Sequence, residues 1–547
     1  MAQSRDHLER ESLYRASFED DTQYADDEGS EYELGGVENP KASPYLRLAR
    51  LPSWTPRWNM RTRRRSGGSR LSLASFSLLA TRRRRSSPLC VAQLITLFFY
   101  FVFTLVTLCG VLFPSYSHPP PHYVHLSQRI QALGPAGRGN IHNEKVFIAA
   151  SIYDNHGHLL GGEWGERLLQ LIEIVGPENV FLSIYQNDVD EGARLAMDTY
   201  AHKVSCEKSI VHEKLDLAPL PHVTTPSGTS RLKRIAFLAE VRNRALHPLT
   251  DPQSPASRIH FDKVLYLNDV FFEPADAANL LFSTNLDERS GRTNYRAACA
   301  VDFINPFKFY DTFATRDTEG YQMGVPFFPW FAAAGNATSR HDTLAQRDAV
   351  RVKSCWGGIV AFEARWFQPH MQIAEASLPA KPAANTSALR FRAEPDTYWD
   401  SSECCLIHAD LAELTGQPKP GIYMNPYVRV AYSPLTLRWL PFTRRFERLY
   451  PWVQHAVSRL AGLPRFNPRR LQRPGERVVD KVWVWDEASR RVLAQGGRRL
   501  DRSGLNGTWA QVVRTATAGG FCGLRSLLYI DEGPEEGGRE WAFEDVP

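Results

Sequence analysis

A chain of 547 residues, 43% hydrophobic and 23% charged, is ordinary globular material but too long for a single core, so two or three regions are expected. The net charge of +5 is small for this size, and the uneven placement of arginine, at Arg61, Arg63 to Arg65 and Arg82 to Arg85, says more than the total.

Residues 1–86 mix an acidic stretch, FEDDTQYADDEGSEYE from Phe18 to Glu33, with Ser, Gly and Arg clusters and no sustained apolar period, the pattern of a disordered tail. Residues 87–113 contain LCVAQLITLFFYFVFTLVTLCGVLF, Leu89 to Phe113, which is uncharged and longer than the ~20 residues a bilayer-spanning helix needs. Length, lack of charge and flanking arginines set it apart from a buried core helix. Its distance from the N-terminus sets it apart from a cleaved signal peptide. Arg82 to Arg85 precede the span and no Lys or Arg follows until Arg129, so the positive-inside rule leaves the tail in the cytosol and the bulk of the chain across the membrane. The tethered arginines are suited to topogenesis or anionic headgroups, and no nucleic-acid partner is expected. Residues 114–143, which open PSYSHPPPHYVH, read as a stem.

Cys206, Cys299, Cys355, Cys404, Cys405 and Cys522 lie beyond the span, where an oxidising lumen allows disulfides. No CxxC pair of zinc spacing occurs, and connectivity does not follow from sequence. Adjacent Cys404 and Cys405 point different ways, so one can pair while the other packs. Sequons at Asn336, Asn385 and Asn506 all follow the span. About two would arise by chance, so they add little to the topology.

The folded region, 144–437, opens with KVFIAASIYDN, Lys145 to Asn155, an apolar run ending in polar residues as a buried parallel strand does. EWGERLLQLIEIV, Glu163 to Val175, places Leu168, Leu169, Ile172 and Val175 on one helical face, and NVFLSIYQND, Asn179 to Asp188, supplies a second strand. This is a βαβ unit. RLKRIAFLAEVRNRALHPL, Arg231 to Leu249, predicts a helix stopping before Pro248, and Phe261 to Phe272 predicts a third strand. The alternation implies an α/β, mostly parallel sheet with ligands at strand C-termini. Residues 438–547 form a basic, Trp- and Arg-rich extension with a short strand at Val479 to Trp485, either a subdomain or a wrap around the core.

The strand VLYLNDVFF, Val264 to Phe272, ends in Asn268 and Asp269. These residues either turn the chain or hold a divalent cation through a hard carboxylate oxygen. Three later blocks mix aromatic faces with acids: AACAVDFINPFKFYDTFATRDTEGY at Ala297 to Tyr321, SCWGGIVAF at Ser354 to Phe362, and FRAEPDTYWDSSECCLIHADL at Phe391 to Leu411. Trp356 beside Gly357 and Gly358 is a candidate to stack on a sugar face, the glycines letting backbone approach; the other reading is a Trp packed in the core. His408 is either a structural histidine or, with Asp269, part of a hard-ligand set that leaves positions for diphosphate and water.

These blocks, VLYLNDVFF, CAVDFINPFKFYDTFATRDTEGY, CWGGIVAF and SSECCLIHADL, resemble those of the fungal capsule-associated (cryptococcal-type) α-1,3-mannosyltransferase family over about Lys145 to Tyr432, with a weaker echo in GGFCGLR at Gly519 to Arg525. The resemblance implies a type II Golgi enzyme with a GT-A-like, Rossmann-type fold and helices on both faces of the sheet. It also implies a GDP-mannose donor, a mannose-containing glycan acceptor, and a divalent cation, manganese by expectation. The product linkage would be α-1,3, with retention of configuration. Asp269 matches the DxD-like acid, Glu403 the later acidic motif, and His408 the downstream metal-binding histidine. RNRAL, Arg242 to Leu246, is similar to the Arg-Asn helix near the nucleotide, and Arg242 there either meets the diphosphate or base or sits on a solvated face.

Ser151, Tyr153, Arg242, Asn243 and Asn268 are therefore the candidates for nucleotide-sugar binding, and Trp356, Gly357 and Gly358 for the sugar or acceptor. Asp269 and His408 are the metal candidates, and Glu403 and Asp302 the carboxylates near the anomeric carbon. The motif departs from a full DxD in holding one carboxylate, a gap Asp302 would fill, and Gln186 stands where relatives carry an acid. The rival reading, drawn from the single acid, is a non-catalytic transferase-like factor for polysaccharide assembly or export.

Overall fold

The computed structural model describes residues 88–132, 134–225, 230–368, 388–416, 420–494, 505–532 and 539–543. The expected tail and the sequon at Asn385 lie outside the described residues. The described residues fall into two compact units, one ending at Leu105 and the other beginning at Val106. Helix α1, Pro88–Leu112, runs through the apolar stretch, and its segment Ala92–Leu112 is long and apolar enough to cross a membrane. Helix α2, Pro121–Gln131, follows in the expected stem and buries Tyr123, Leu126 and Ile130.

The βαβ unit is present as read: β1 Val146–Ile152, α3 Glu163–Val175 and β2 Val180–Asn187, with β1 and β2 parallel and Val146 opposite Val180. Every residue of β1 and β2 is buried, which a strand covered on both faces requires. Helix α4, Glu191–Lys203, leads to β3, Glu207–Glu213, which extends the sheet in parallel. The predicted helix over Arg231 to Leu249 is shorter, α5 Arg234–Leu246. Its first residues instead form strand β5, Ser230–Lys233, which pairs with β4, His222–Thr224, and with the C-terminal segment through Leu232 and Ile530. Helical periodicity could not report that competing tertiary pairing.

Strand β6, Lys263–Leu267, lies beside β1 in parallel and stops where Asn268 begins. The remaining sheet strands are β7 Ala297–Phe303, β8 Val350–Arg351, β9 Ile359–Glu363 and β10 Ile422–Ala431. The order across the sheet is β8-β10-β7-β9-β6-β1-β2-β3. Strand β9 is antiparallel to both β6 and β7, β8 is antiparallel to β10, and the other strands share one direction. The result is the mostly parallel α/β sheet expected. Alternation along the strands sends Phe147 and Ala149 to one face and Ile148 and Ala150 to the other. On the first face lie α5 and α7, Glu403–Thr415; on the second lie α3, α4 and α6, Pro274–Phe282.

The C-terminal segment wraps the core. Cys405, on α7, is bonded to Cys522 across 117 residues of sequence, while Cys404 is buried, outside either disulfide, and donates to Glu403. Beside that bridge the fully buried Arg316 donates to the carbonyls of Phe521 and Cys522 and to those of Thr312, Phe313 and Thr315. Burial pushes its pKa down to about 10, so it remains charged, satisfied by carbonyl oxygens in place of a salt bridge. The predicted strand at Val479 to Trp485 is β11, Arg477–Trp485, which pairs antiparallel with β12, Gly507–Thr515. Strand β13, Leu528–Glu532, carries the pairing with β5.

A bridge closing so long a loop restricts the unfolded chain, and its loss costs about 2–5 kcal/mol. The Cys405→Ala/Cys522→Ala variant is expected to lower the unfolding free energy of the full chain in detergent by that amount, seen as a lower urea midpoint by tryptophan fluorescence. An unchanged midpoint would show that the wrap holds without its staple.

Candidate active site

Sheet growth reverses at β1: β2 and β3 lie to one side and β6 joins on the other. In open α/β sheets the crevice at such a switch point, at the strand C-termini, is where ligands bind. Ala150 is opposite Leu267 in the register, so Ser151, near the end of β1, and Tyr153, just past it, lie beside Asn268 and Asp269 leaving β6. Ser151 is buried and accepts from the Tyr266 hydroxyl at 2.8 Å; Tyr153 is half-buried.

Asn268 is held from three sides. Its N–H donates to the Gly358 carbonyl at 2.9 Å, its own carbonyl accepts from the Trp164 indole at 3.1 Å, and its Oδ1 accepts from Arg242 Nη1 at 2.9 Å. The next residue, Asp269, is half-buried at the crevice edge. Arg242, on α5, is buried and also donates through Nε to Glu403 Oε1 at 2.8 Å. Its guanidinium lies 4.6 Å from the ring centre of Trp356, 5.6 Å from Tyr266 and 5.7 Å from Phe391. Burial works against its charge, but Cys404 and Glu403 outweigh that and raise its pKa. Glu403 begins α7, so one cation ties α5, the end of β6 and the start of α7 together.

A second cluster stands on β7. Asp302 is buried; its Oδ2 accepts from the Tyr432 hydroxyl at 3.1 Å and its Oδ1 from the Asp311 N–H at 3.1 Å. Burial first, and then the Asp311 carboxylate, push its pKa well above the usual range. Asp311 accepts from the N–H groups of Ala314, Trp356 and Gly357 and from the Thr315 hydroxyl. Tyr432 packs on Tyr310 with ring centres 4.3 Å apart. Its pKa is raised by burial, then by Asp302, Tyr310, Asp269 and Asp311, so three carboxylates bear on one phenol. Asp302 and Asp269 thus both bear on Tyr432: Asp302 by its hydrogen bond, and Asp269 because Phe271, two residues on, bridges Ala431 next to Tyr432. Asp311, Tyr310 and Tyr432 went unnoticed in the sequence, although FYD within the Ala297 to Tyr321 block was the signal available.

Several expectations are corrected. Trp356 is 4% exposed and covered by Arg242, so it is not a platform for a sugar. Gly357 and Gly358 serve packing: both have positive φ, and a Cβ on Gly357 would lie 2.0 Å from the Ala300 carbonyl oxygen. Asn243 spends its amide on Phe391, donating to its carbonyl and accepting from its N–H, each at 2.9 Å, and so anchors a backbone segment. Glu403 is buried in its ion pair with Arg242. Gln186 is buried on β2 and donates to the Asp154 carbonyl at 3.0 Å.

His408 does not join Asp269. It is fully buried, its Nδ1 is 2.8 Å from the Cys404 carbonyl, its Nε2 is 3.9 Å from Cys299 Sγ, and its ring centre is 5.4 Å from that of Phe362. Phe362 is opposite Val264, five residues before Asp269 and so at the other end of β6. Among the described residues, the close grouping of three metal-type ligands is Cys299, Cys355 and His408, but the two cysteines are bonded to each other as a disulfide. Its chemistry does not suit a hard cation, whereas the carboxylate oxygens of Asp269 and Asp302 do.

Residues 145–410 match the family described as cryptococcal mannosyltransferase 1. Three solved structures are similar in shape at low sequence identity. The mannosyltransferase PcManGT from Pyrobaculum calidifontis, in complex with GDP-Man and Mn2+, is 11% identical with a TM-score of 0.30, covering 65% of this chain and 74% of that one. TarS 1-349 of S. aureus is 10% identical with a TM-score of 0.26, covering 54% and 63%. Glucosyl-3-phosphoglycerate synthase from Mycobacterium tuberculosis, in complex with Mn2+ and UDP-glucose, is 10% identical with a TM-score of 0.26, covering 67% and 89%. None of the curated proteins matches in sequence.

Burial lowers the pKa of His408 from 6.5 to about 4, so the folded chain keeps it neutral. Between those values the unfolded chain binds the proton and the folded chain does not, so stability falls as pH drops from 6.5 toward 4, by about 3 kcal/mol over the window. The His408→Gln variant is expected to show a shallower acid limb in urea midpoints measured across this range. A limb as steep as that of the parent chain would place the proton elsewhere.

Proposed function

The chain belongs to the cryptococcal mannosyltransferase family through residues 145–410, and from that premise we propose that it transfers mannose from GDP-mannose to a mannose-containing glycan acceptor, forming α-1,3 linkages with retention. The observation that supports this reading beyond the family is that Asp269, just past the end of β6, and Asp302, hydrogen-bonded to Tyr432, both stand at the C-terminal edge of the sheet, with Phe271 bridging Ala431 between them. This is the edge where α/β folds receive phosphorylated ligands.

In the proposed site Asp269 holds a divalent cation, with manganese the expected metal, and Asp302 supplies the second carboxylate that the single-acid motif lacks. A bound cation would neutralise charge developing on the departing GDP. The chain's own residues set the stage. Arg242 fixes the Asn268 side chain, so the turn presenting Asp269 is rigid before any ligand arrives. Ser151 and Tyr153, across the crevice on β1, face the nucleotide. Glu403 has its charge committed to Arg242, which holds it away from the anomeric centre, and the Tyr432 hydroxyl orients Asp302.

The proposal includes a type II topology: α1 spans a Golgi membrane and the catalytic region is lumenal. The Cys299–Cys355 and Cys405–Cys522 bridges support it, because such bonds persist in an oxidising compartment.

Purified full chain, incubated with GDP-mannose, manganese and a mannose disaccharide, is expected to give an α-1,3-linked product that disappears on chelation. Asp269→Asn is expected to reduce kcat/KM by about 100-fold or more, with the melting temperature unchanged. Donor binding without transfer in the parent chain would point to the non-catalytic assembly role, and an active Asp269→Asn variant would remove the metal assignment.

A further inference from the structure

Residues 434–471 are organised against the usual logic of a surface. Helix α8, Pro434–Thr443, exposes Leu435, Trp439 and Phe442 on one face, and α9, Pro451–Leu460, exposes Trp452, Val453, Val457 and Leu460. Trp452 is 85% exposed and Leu460 88%, and Phe466 just beyond is 90% exposed. The polar face of α9 is the one turned inward. Gln454 and Ser458, four residues apart, are buried; Gln454 accepts from Arg340 and Ser458 accepts from the Val325 N–H. A helix at a water-facing surface buries its apolar stripe, so an inverted one implies an apolar medium outside.

Two further observations identify that medium. The loop between α8 and α9 is bonded to the end of α1: Arg445 donates through Nε to the Gly110 carbonyl at 3.1 Å, and its own carbonyl accepts from the Ser115 N–H. Phe446 lies over Gly110, where a Cβ would stand 2.3 Å from the ring, and an aromatic line runs on from Phe446 to Phe442 at 5.3 Å and to Trp439 at 5.8 Å. At 1.5 Å rise per residue, Gly110 is roughly 5 Å from the end of the apolar stretch. The exposed apolar faces therefore continue from the level at which a span would leave the bilayer. The charge also fits: Arg438, Arg448 and Arg459 are exposed, while the segment's acid, Glu447, is buried and paired with Arg429 at 2.6 Å. Tryptophan with arginine at an apolar rim is the composition of a membrane interface.

We infer that α8 and α9 form a bilayer-docking surface that lies in the headgroup region of the membrane α1 crosses, with Leu435, Trp439, Phe442, Trp452 and Leu460 in the acyl boundary and the arginines on lipid phosphates. The inference rests on the reading of α1 as a membrane span. Its consequence is positional: Tyr432, at the acid cluster, precedes the Ser433 cap of α8, so the sheet edge carrying Asp269 and Asp302 is held toward the lipid surface.

The span contains no tryptophan, which makes lipid quenching informative. Full chain is reconstituted into vesicles of phosphatidylcholine with one-fifth anionic phospholipid, with or without acyl chains brominated near the headgroup, and tryptophan fluorescence is compared with that of the Trp439→Phe/Trp452→Phe variant. Bromination is expected to quench the parent chain, and the double variant is expected to lose most of that quenching. Equal quenching of the two, or none in either, would overturn docking. Flotation after carbonate washing reads the anchor separately: a chain that fails to float removes the span and the docking with it, and one that floats without tryptophan quenching removes docking alone.

Discussion

The structure turns on one buried cation. Arg242 cannot leave water unless its charge is met, and breaking a buried pair from one side costs about 3–5 kcal/mol. Its partners come from separate parts of the chain: Glu403 from the start of α7, Asn268 from the end of β6, and the rings of Tyr266, Trp356 and Phe391 around it. Helix α5 is itself pinned at its start by Lys233, which is 3.0 Å from Asp400 and donates to the carbonyls of Asp396 and Trp399. Satisfying two buried cations therefore assembles the helix, the sheet edge and the later acidic block at once. The position of Asp269 is a by-product, since it is the residue after the one Arg242 grips.

The acids opposite are treated differently. Asp302 and Asp311 are held chiefly by amide and hydroxyl donors, and Asp311 also sets the Trp356 loop through the N–H groups of Trp356 and Gly357. Donors of this kind orient a carboxylate without cancelling its charge, so burial and like-charge proximity raise the pKa of Asp302. The charged residues thus fall into a paired group around Arg242 and a group of acids around Tyr432, with β9 between the two strands that carry them.

Both groups are fastened to what lies outside the sheet. The Cys405–Cys522 bridge and the carbonyl cage of Arg316 hold the C-terminal wrap against α7 and the loop that follows Asp311. Beyond Ala431, the end of β10, Tyr432 reaches Asp302 and Ser433 caps α8 by accepting the Thr436 N–H. A few consecutive residues therefore connect the acid cluster to the helices proposed to meet the bilayer. Any tilt of that surface would be felt at Tyr432.

The apolar span, the βαβ unit and the strand ending in Asn268 and Asp269 were legible in the sequence because each depends on local periodicity and on where an apolar run stops. Arg242, Glu403 and Asp302 were legible as polar residue types within family-like blocks, and so was the division of Cys404 and Cys405 into one in a disulfide and one packed. Their roles were not. Whether Trp356 faces a sugar or an arginine, whether His408 faces a cation or a disulfide, and whether Asn243 binds ligand or backbone depend on which distant groups share their space. The same holds for Ser230–Lys233, extended because Ile530 pairs with Leu232, and for the inward-facing Gln454 and Ser458. Sequence alone determined which segments bury apolar surface and where polar chemistry interrupts them. Only tertiary structure decided which polar groups meet, because a buried charge or amide takes its partner from whatever the fold brings within hydrogen-bond reach, across gaps of more than a hundred residues.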